Sequence, residues 1–310
     1  MENKHDLQEL LEEYFDDCKN RRRLSDLTVK AYRIDLTQYS DFIGNDMHEY
    51  KRITEFIHYL NKRYSKGKTI KRKIASIKAF YAYLASEEII EISPFNKIKT
   101  KLKEETILPR TISNHIIAQI LTYIYSEKNK IDSVFEYNII VRNIAMIEVL
   151  LTTGVRISEV CGIKQENLDL DEKTIKIMGK GSKERILYLG SESVMNILRE
   201  YCSIYRQELL QSDYLFLNKY GNRISEQSIR LFLKHIEQEL ALSSHITPHM
   251  FRHTFATMLL EKDVDIRYIQ KILGHSSISV TQIYTHVTNT KQKEILLTKN
   301  PRNDYQIKES

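Results

Sequence analysis

The stretch "TIKIMGKGSKERILYL", residues 174 to 189, is where a chain otherwise patterned for helices changes its period. Ile175 and Ile177 lie on one side of two glycines, and Ile186, Leu187 and Leu189 lie on the other. Apolar residues alternating about a glycine-bearing turn are the pattern of a β-hairpin, because successive strand side chains face opposite ways. On either side of this segment the apolar residues recur at three and four, the spacing of one helix face. The expected fold is mainly α, with a small antiparallel β-sheet set into its second half.

Working back from the hairpin, the first ~100 residues read as four helices. Leu7, Leu10, Leu11, Tyr14 and Phe15 form one stripe, and Ser25 stands as an N-cap before a second made of Val29, Tyr32, Leu36, Tyr39 and Phe42. Ile53, Phe56, Ile57 and Leu60 make the third, and Ile70, Ile74, Ile77, Tyr81 and Leu84 the fourth. Lys62 to Lys78 holds eight Lys or Arg and no acid. Solvated faces usually mix charge signs, so this run reads as a surface for nucleic-acid phosphates ahead of the alternative, a plain solvated face. Pro94 and Pro109 then bracket a charged connection, which places a domain boundary near residue 105. The expected units are 1–104 and 105–298, with a polar tail at 299–310. The second unit resumes with "SNHIIAQILTYIY" and "IIVRNIAMIEVLLTTG", the latter stopped by Gly154 as a C-cap.

A length of 310 residues suits two domains. Hydrophobic content of 42% and charged content of 28% are those of a globular protein, and no apolar run approaches the roughly 20 residues of a membrane helix. The N-terminus is acidic and amphipathic rather than signal-like, so a cytoplasmic location is expected. Cys18, Cys161 and Cys202 are far apart and odd in number, and are read as reduced packing residues. The net charge of +6 agrees with a polyanionic partner and equally with many enzymes that never touch one.

"TPHMFRHT", residues 247 to 254, packs two histidines and an arginine into five positions. Thr247 and Pro248 read as an N-cap and first helical position, with His249 in the first turn and Arg252 a turn later on the same face. His249 and His253 share the i, i+4 spacing of zinc helices, but no Glu adjoins the first His and a guanidinium lies between the proposed ligands. An anion site and an ordinary helix with packed histidines are the readings that remain. Three further segments bear on the choice. "TGVRISEV" sets Arg156 two residues past Gly154, though Arg156 and Glu159 at i, i+3 also suit a surface pair. "GKGSK" sets Lys180 between glycines at the hairpin tip, where a solvated turn lysine is the plain alternative. "LGHSSISVTQIYTH" has Gly274 ending a helix, His275 at the junction and Tyr284, one of 19 tyrosines, beyond it.

In content and order these four segments resemble the tyrosine recombinase family, the phage-integrase and Xer-like site-specific DNA recombinases. The likeness extends over most of residues 150 to 290, and the basic helical unit with its Pro-marked linker resembles the family's SAM-like DNA-binding domain. It implies that Tyr284 attacks a DNA phosphodiester to give a 3′-phosphotyrosyl link and a free 5′-hydroxyl. Arg156 and Arg252 would hold the non-bridging oxygens, His249 would assist proton transfer at the nucleophile, Lys180 would protonate the 5′-oxygen, and His275 would donate to the phosphate. Lys183, three residues on, is the alternative acid. Phe251 stands where family members often have Leu, at a position expected to face the core.

Phosphoryl transfer gathers negative charge on oxygens around phosphorus, which Arg, His and helix N–H donors stabilise. No metal and no other cofactor is then required. Implied partners are a double-stranded DNA recombination site, contacted in part by Lys71, Arg72 and Lys78, and further copies of the chain in a tetramer. "KQKEILLTKN" is a segment that either docks on a neighbour or packs at home. Rival readings are a type IB topoisomerase, with similar chemistry, and a non-catalytic DNA-binding regulator using "ISEQSIRLFLKHI" as a recognition helix. Chromosome-dimer resolution, element integration and inversion all fit the likeness.

Overall fold

The computed structural model describes residues 6–44, 50–98, 110–179 and 184–274. The chain divides into two compact units, Met1–Thr106 and Ile107–Ser310.

In the first unit α1 (Leu7–Asp16), α2 (Asp26–Ile43), α3 (Tyr50–Arg63) and α4 (Gly67–Ser86) pack around one core. All five apolar residues of the α1 stripe are buried, as are Leu36, Tyr39, Phe56, Leu60, Ile77 and Leu84. Ser25 caps α2 through Oγ, which accepts from the Thr28 amide at 3.3 Å. Between α1 and α2 the backbone widens into a π turn at Asp17–Arg21, where Asp17 is gripped by both Arg21 and Arg22. No apolar period signals such a turn. Asp35 is the polar tie of this core: its carboxylate accepts from Lys73 Nζ at 2.9 Å, from Ser76 Oγ at 2.8 Å and from Arg72. A buried charge survives only when paired this fully.

In the second unit α5 (Asn114–Lys128) and α6 (Val134–Thr153) lead to the short α7 (Ile157–Cys161). A three-stranded antiparallel sheet follows, β1 (Leu168–Asp169), β2 (Thr174–Met178) and β3 (Glu184–Tyr188), in that spatial order. Register pairs Ile175 with Leu187 and Ile177 with Arg185, so Ile175, Ile177 and Leu187 turn inward while Ile186 stands 60% exposed. The two-residue β1 has no alternation to betray it. α8 (Glu192–Ile204), α9 (Arg206–Leu209), α10 (Glu226–Glu239), α11 (Pro248–Glu261) and α12 (Ile266–Leu273) complete the unit.

α6 is apolar on nearly every side because α5, α7, α8 and α11 all pack on it. Its buried Glu148 accepts from Tyr125 Oη at 2.9 Å, and burial lifts its pKa above the usual carboxylate value. Cys18 and Cys161 are buried and Cys202 half-buried, all as free thiols. Among the described residues no helix is long and apolar enough to cross a membrane.

Candidate active site

Two helix ends and one strand bring cations of the second unit together. α6 stops at Gly154, whose φ of 62° is the left-handed conformation that glycine adopts without penalty. The chain then reverses into α7, with Arg156 at the N-cap position. α12 stops in the same way at Gly274, φ 66°. Between these ends runs α11, with Pro248 in its first turn. Thr247 occupies the N-cap position, but its side chain makes no capping bond.

Arg252 is buried, 4% exposed. Its Nη1 donates to the Gly154 carbonyl at 2.9 Å and its Nη2 to the Leu273 carbonyl at 2.7 Å. One guanidinium thus satisfies the carbonyl ends of two helices, the place where a cation is favoured by both hydrogen bonding and the macrodipole. A side chain at Gly154 would run into Phe255 of the same helix as Arg252, so the glycine is also what lets α11 come this close.

Arg156 is linked to Glu159, but not as the surface pair that the i, i+3 spacing suggests. The Glu159 side chain is 7% exposed, and its carboxylate accepts from the Arg156 amide at 2.7 Å and Arg156 Nη1 at 3.0 Å. The same carboxylate takes both terminal nitrogens of Arg185 from β3, at 3.1 and 2.9 Å. Burial pushes the Glu159 pKa up, but bonds from Arg185 and Arg156 and their charges outweigh it and hold the group below the ordinary value.

His249 keeps a solvent-accessible face. The packing around its ring, and then the charges of Arg252, Arg156 and Arg230, lower its pKa. Residues distant in sequence therefore meet at one histidine. His253, more deeply set, falls to about 4 through burial and then the neighbouring His249 and Arg252, so it is neutral at pH 7. Among the described residues no cluster of three or more His, Cys, Asp or Glu is placed to hold a metal. Phe251 is buried at 1% exposure and fills the core behind the helix.

The structure thus brings Arg156, His249 and Arg252 together. Lys180, Lys183, His275 and Tyr284 lie outside the described residues, as does the segment "KQKEILLTKN". Lys71, Arg72 and Lys78 are exposed on α4 in the other unit, Arg72 also holding Asp35. Sequence reasoning overlooked Arg185 and Arg230. Arg230 lies on α10, within the segment that reads as a recognition helix, and pairs with Glu226 at 2.5 Å.

Comparison with known proteins gives the family of the chain. Residues 11–88 match the phage integrase N-terminal SAM-like domain, and residues 125–291 match the phage integrase family. The chain is 44% identical over 304 residues to a tyrosine recombinase of Agathobacter rectalis, covering 97% of this chain and 99% of that one. It is 34% identical over 307 residues to the tyrosine recombinase XerD of Oceanobacillus iheyensis, covering 96% and 99%. In fold it is similar to the XerH site-specific recombinase bound to palindromic difH substrate, with a TM-score of 0.73 at 23% identity over 91% of this chain and 82% of that one. The chain belongs to the phage integrase family and is a tyrosine-type site-specific DNA recombinase.

Proposed function

We propose that the protein binds a dedicated double-stranded DNA site and exchanges strands through Tyr284. The phenol oxygen attacks phosphorus, the bond to the 5′-oxygen breaks, and a 3′-phosphotyrosyl link replaces it. The phenol proton passes to a base and a proton is delivered to the departing 5′-oxygen, so the reaction is balanced without ATP. Arg156 and Arg252 hold the non-bridging oxygens, His275 donates to the same phosphate, and Lys180 supplies the proton to the leaving group. His249 serves as the base: a histidine whose pKa is lowered by burial and neighbouring cations is neutral at pH 7 and ready to accept. Phosphate binding between the two arginines then raises the basicity of that ring as negative charge arrives.

The observation that carries this reading is that Arg252, on the same helix as His249, donates to the Gly154 carbonyl two residues before Arg156, although the two arginines lie far apart in sequence. Preorganised donors of this kind are worth about 10²–10³ in rate each. Residues 1–104 contribute phosphate contacts through Lys71, Arg72 and Lys78, residues 105–298 form the catalytic domain, and 299–310 a tail. The working assembly is a tetramer on two DNA sites in the cytoplasm.

A nicked duplex bearing the site that the protein protects tests the proposal. An SDS-resistant adduct that is lost in Tyr284→Phe, together with joined exchanged strands, supports it. Relaxation of plasmid lacking the site, or binding with no adduct, overturns it.

A further inference from the structure

Arg185 lies on the inward-facing register of β3, opposite Ile177 on β2, with its side chain only 12% exposed. A guanidinium on the core side of a hairpin is costly unless its donors are satisfied. Here they are satisfied by groups from two other parts of the catalytic unit. Both terminal nitrogens fork onto the Glu159 carboxylate, at 3.1 and 2.9 Å, and Nε donates to the Ile272 carbonyl at 2.8 Å.

Each partner is attached to the site. Glu159 in turn holds the amide and one terminal nitrogen of Arg156, whose side chain remains 36% exposed. Ile272 is the next-to-last residue of α12, and the following carbonyl, that of Leu273, is taken by Arg252. Two arginines therefore grip successive carbonyls just before the Gly274 turn. A Cβ at Gly274 would lie 3.0 Å from Arg185 Nη1, so the glycine leaves room for that grip. In sequence His275 comes next, and Lys180 precedes β3 by four residues.

We propose that Arg185 is a positioning residue for strand cleavage: through Glu159 it sets the direction of Arg156, and its bond to the Ile272 carbonyl anchors it for that contact. It touches neither DNA nor the reacting atoms. Lysine cannot replace it, because a single ammonium cannot fork onto a carboxylate and also reach a carbonyl. This inference rests on the function proposed above.

The test uses the full-length protein and the site-bearing nicked duplex, and measures DNA affinity, single-turnover cleavage and thermal melting. Arg185→Lys and Arg185→Gln are expected to lower the cleavage rate by about 10- to 100-fold, the scale on which misplacing a catalytic group by ~1 Å acts. DNA affinity should stay within about threefold, since exposed phosphate contacts govern it. In an Arg156→Lys background, Arg185→Gln should cost less than about threefold more, because coupled residues are not additive. The double variant Glu159→Gln/Arg185→Met removes both buried charges and serves if a single variant melts early. It should recover in melting temperature while cleavage stays low.

Wild-type cleavage in Arg185→Lys and Arg185→Gln overturns the inference. So does full additivity with Arg156→Lys, or cleavage that returns with melting temperature in the double variant. If the unsubstituted protein forms no Tyr284-dependent adduct, the proposed function itself falls, and this inference with it.

Discussion

Replacing Gly154 by alanine perturbs the point where α6, α11 and α12 meet. Its φ of 62° is left-handed, which costs an L side chain about 1–2 kcal/mol. The new Cβ would also sit 2.9 Å from Phe255 Cγ and 3.0 Å from Leu273 Cδ2. Overpacking of this kind adds about 1–3 kcal/mol, giving a total of about 2–5 kcal/mol. Gly221 supplies the control within the same unit: its φ is 74°, but nothing lies within 4 Å of the position a Cβ would take. Gly221→Ala should therefore cost only the backbone term of about 1–2 kcal/mol. Urea unfolding followed by circular dichroism, read on the transition of the catalytic unit, compares the two. Gly154→Ala should also cleave DNA more slowly, because the Gly154 carbonyl anchors Arg252 and Phe255 lies on the helix that carries it. Equal losses of stability in the two variants would refute the packing argument.

Cleavage by the wild-type protein should be flat near neutral pH and fall on acidification through a value below 6.5, where the lowered pKa of His249 lets the base protonate; His249→Gln should be slower and lose that limb in a pH–rate profile. Glu148 has a raised pKa in the folded state, so its protonated form is the one that folding favours, and stability is lost as pH rises above the unfolded carboxylate value. Glu148→Gln should therefore gain stability over wild type at pH 8, an advantage that shrinks towards pH 4 in denaturation midpoints. Lys71→Gln/Lys78→Gln should weaken DNA binding without altering the adduct and reduce the slope of log affinity against log salt by about 2, one unit for each phosphate left without its lysine. Arg72→Gln should also lower melting temperature, because Arg72 helps hold the buried Asp35.

The helices of the first unit were legible because each has one wet face and one dry face, so the spacing of Leu7 to Phe15 or Ile70 to Leu84 maps directly onto burial. The hairpin was legible for the matching reason in strands, and the two glycine stops because left-handed helix ends select that residue. Arg156, His249 and Arg252 were marked by the content and order of their segments, which resemble the tyrosine recombinase family, while their spacing alone left plainer readings open. The role of Glu159 was half visible: its i, i+3 partner is local, but the fork that holds its buried carboxylate comes from Arg185, 26 residues on and brought back by strand pairing. Spacing arithmetic along one helix holds no trace of such a partner. The π turn at Asp17–Arg21 and the two-residue β1 were hidden because neither is long enough to show a period. Arg230 sat in a segment whose amphipathic pattern was clear, yet only the packing of α10 brings its charge near His249.

The proposed reaction requires a phosphate held by Arg156 and Arg252 and attacked by one phenol. Peptide mass mapping of the covalent complex formed on the nicked site tests it most directly. The predicted result is a nucleotide joined through its 3′-phosphate to the peptide containing Tyr284, with a free 5′-hydroxyl on the released strand. Linkage to another residue, or through a 5′-phosphate, would contradict it.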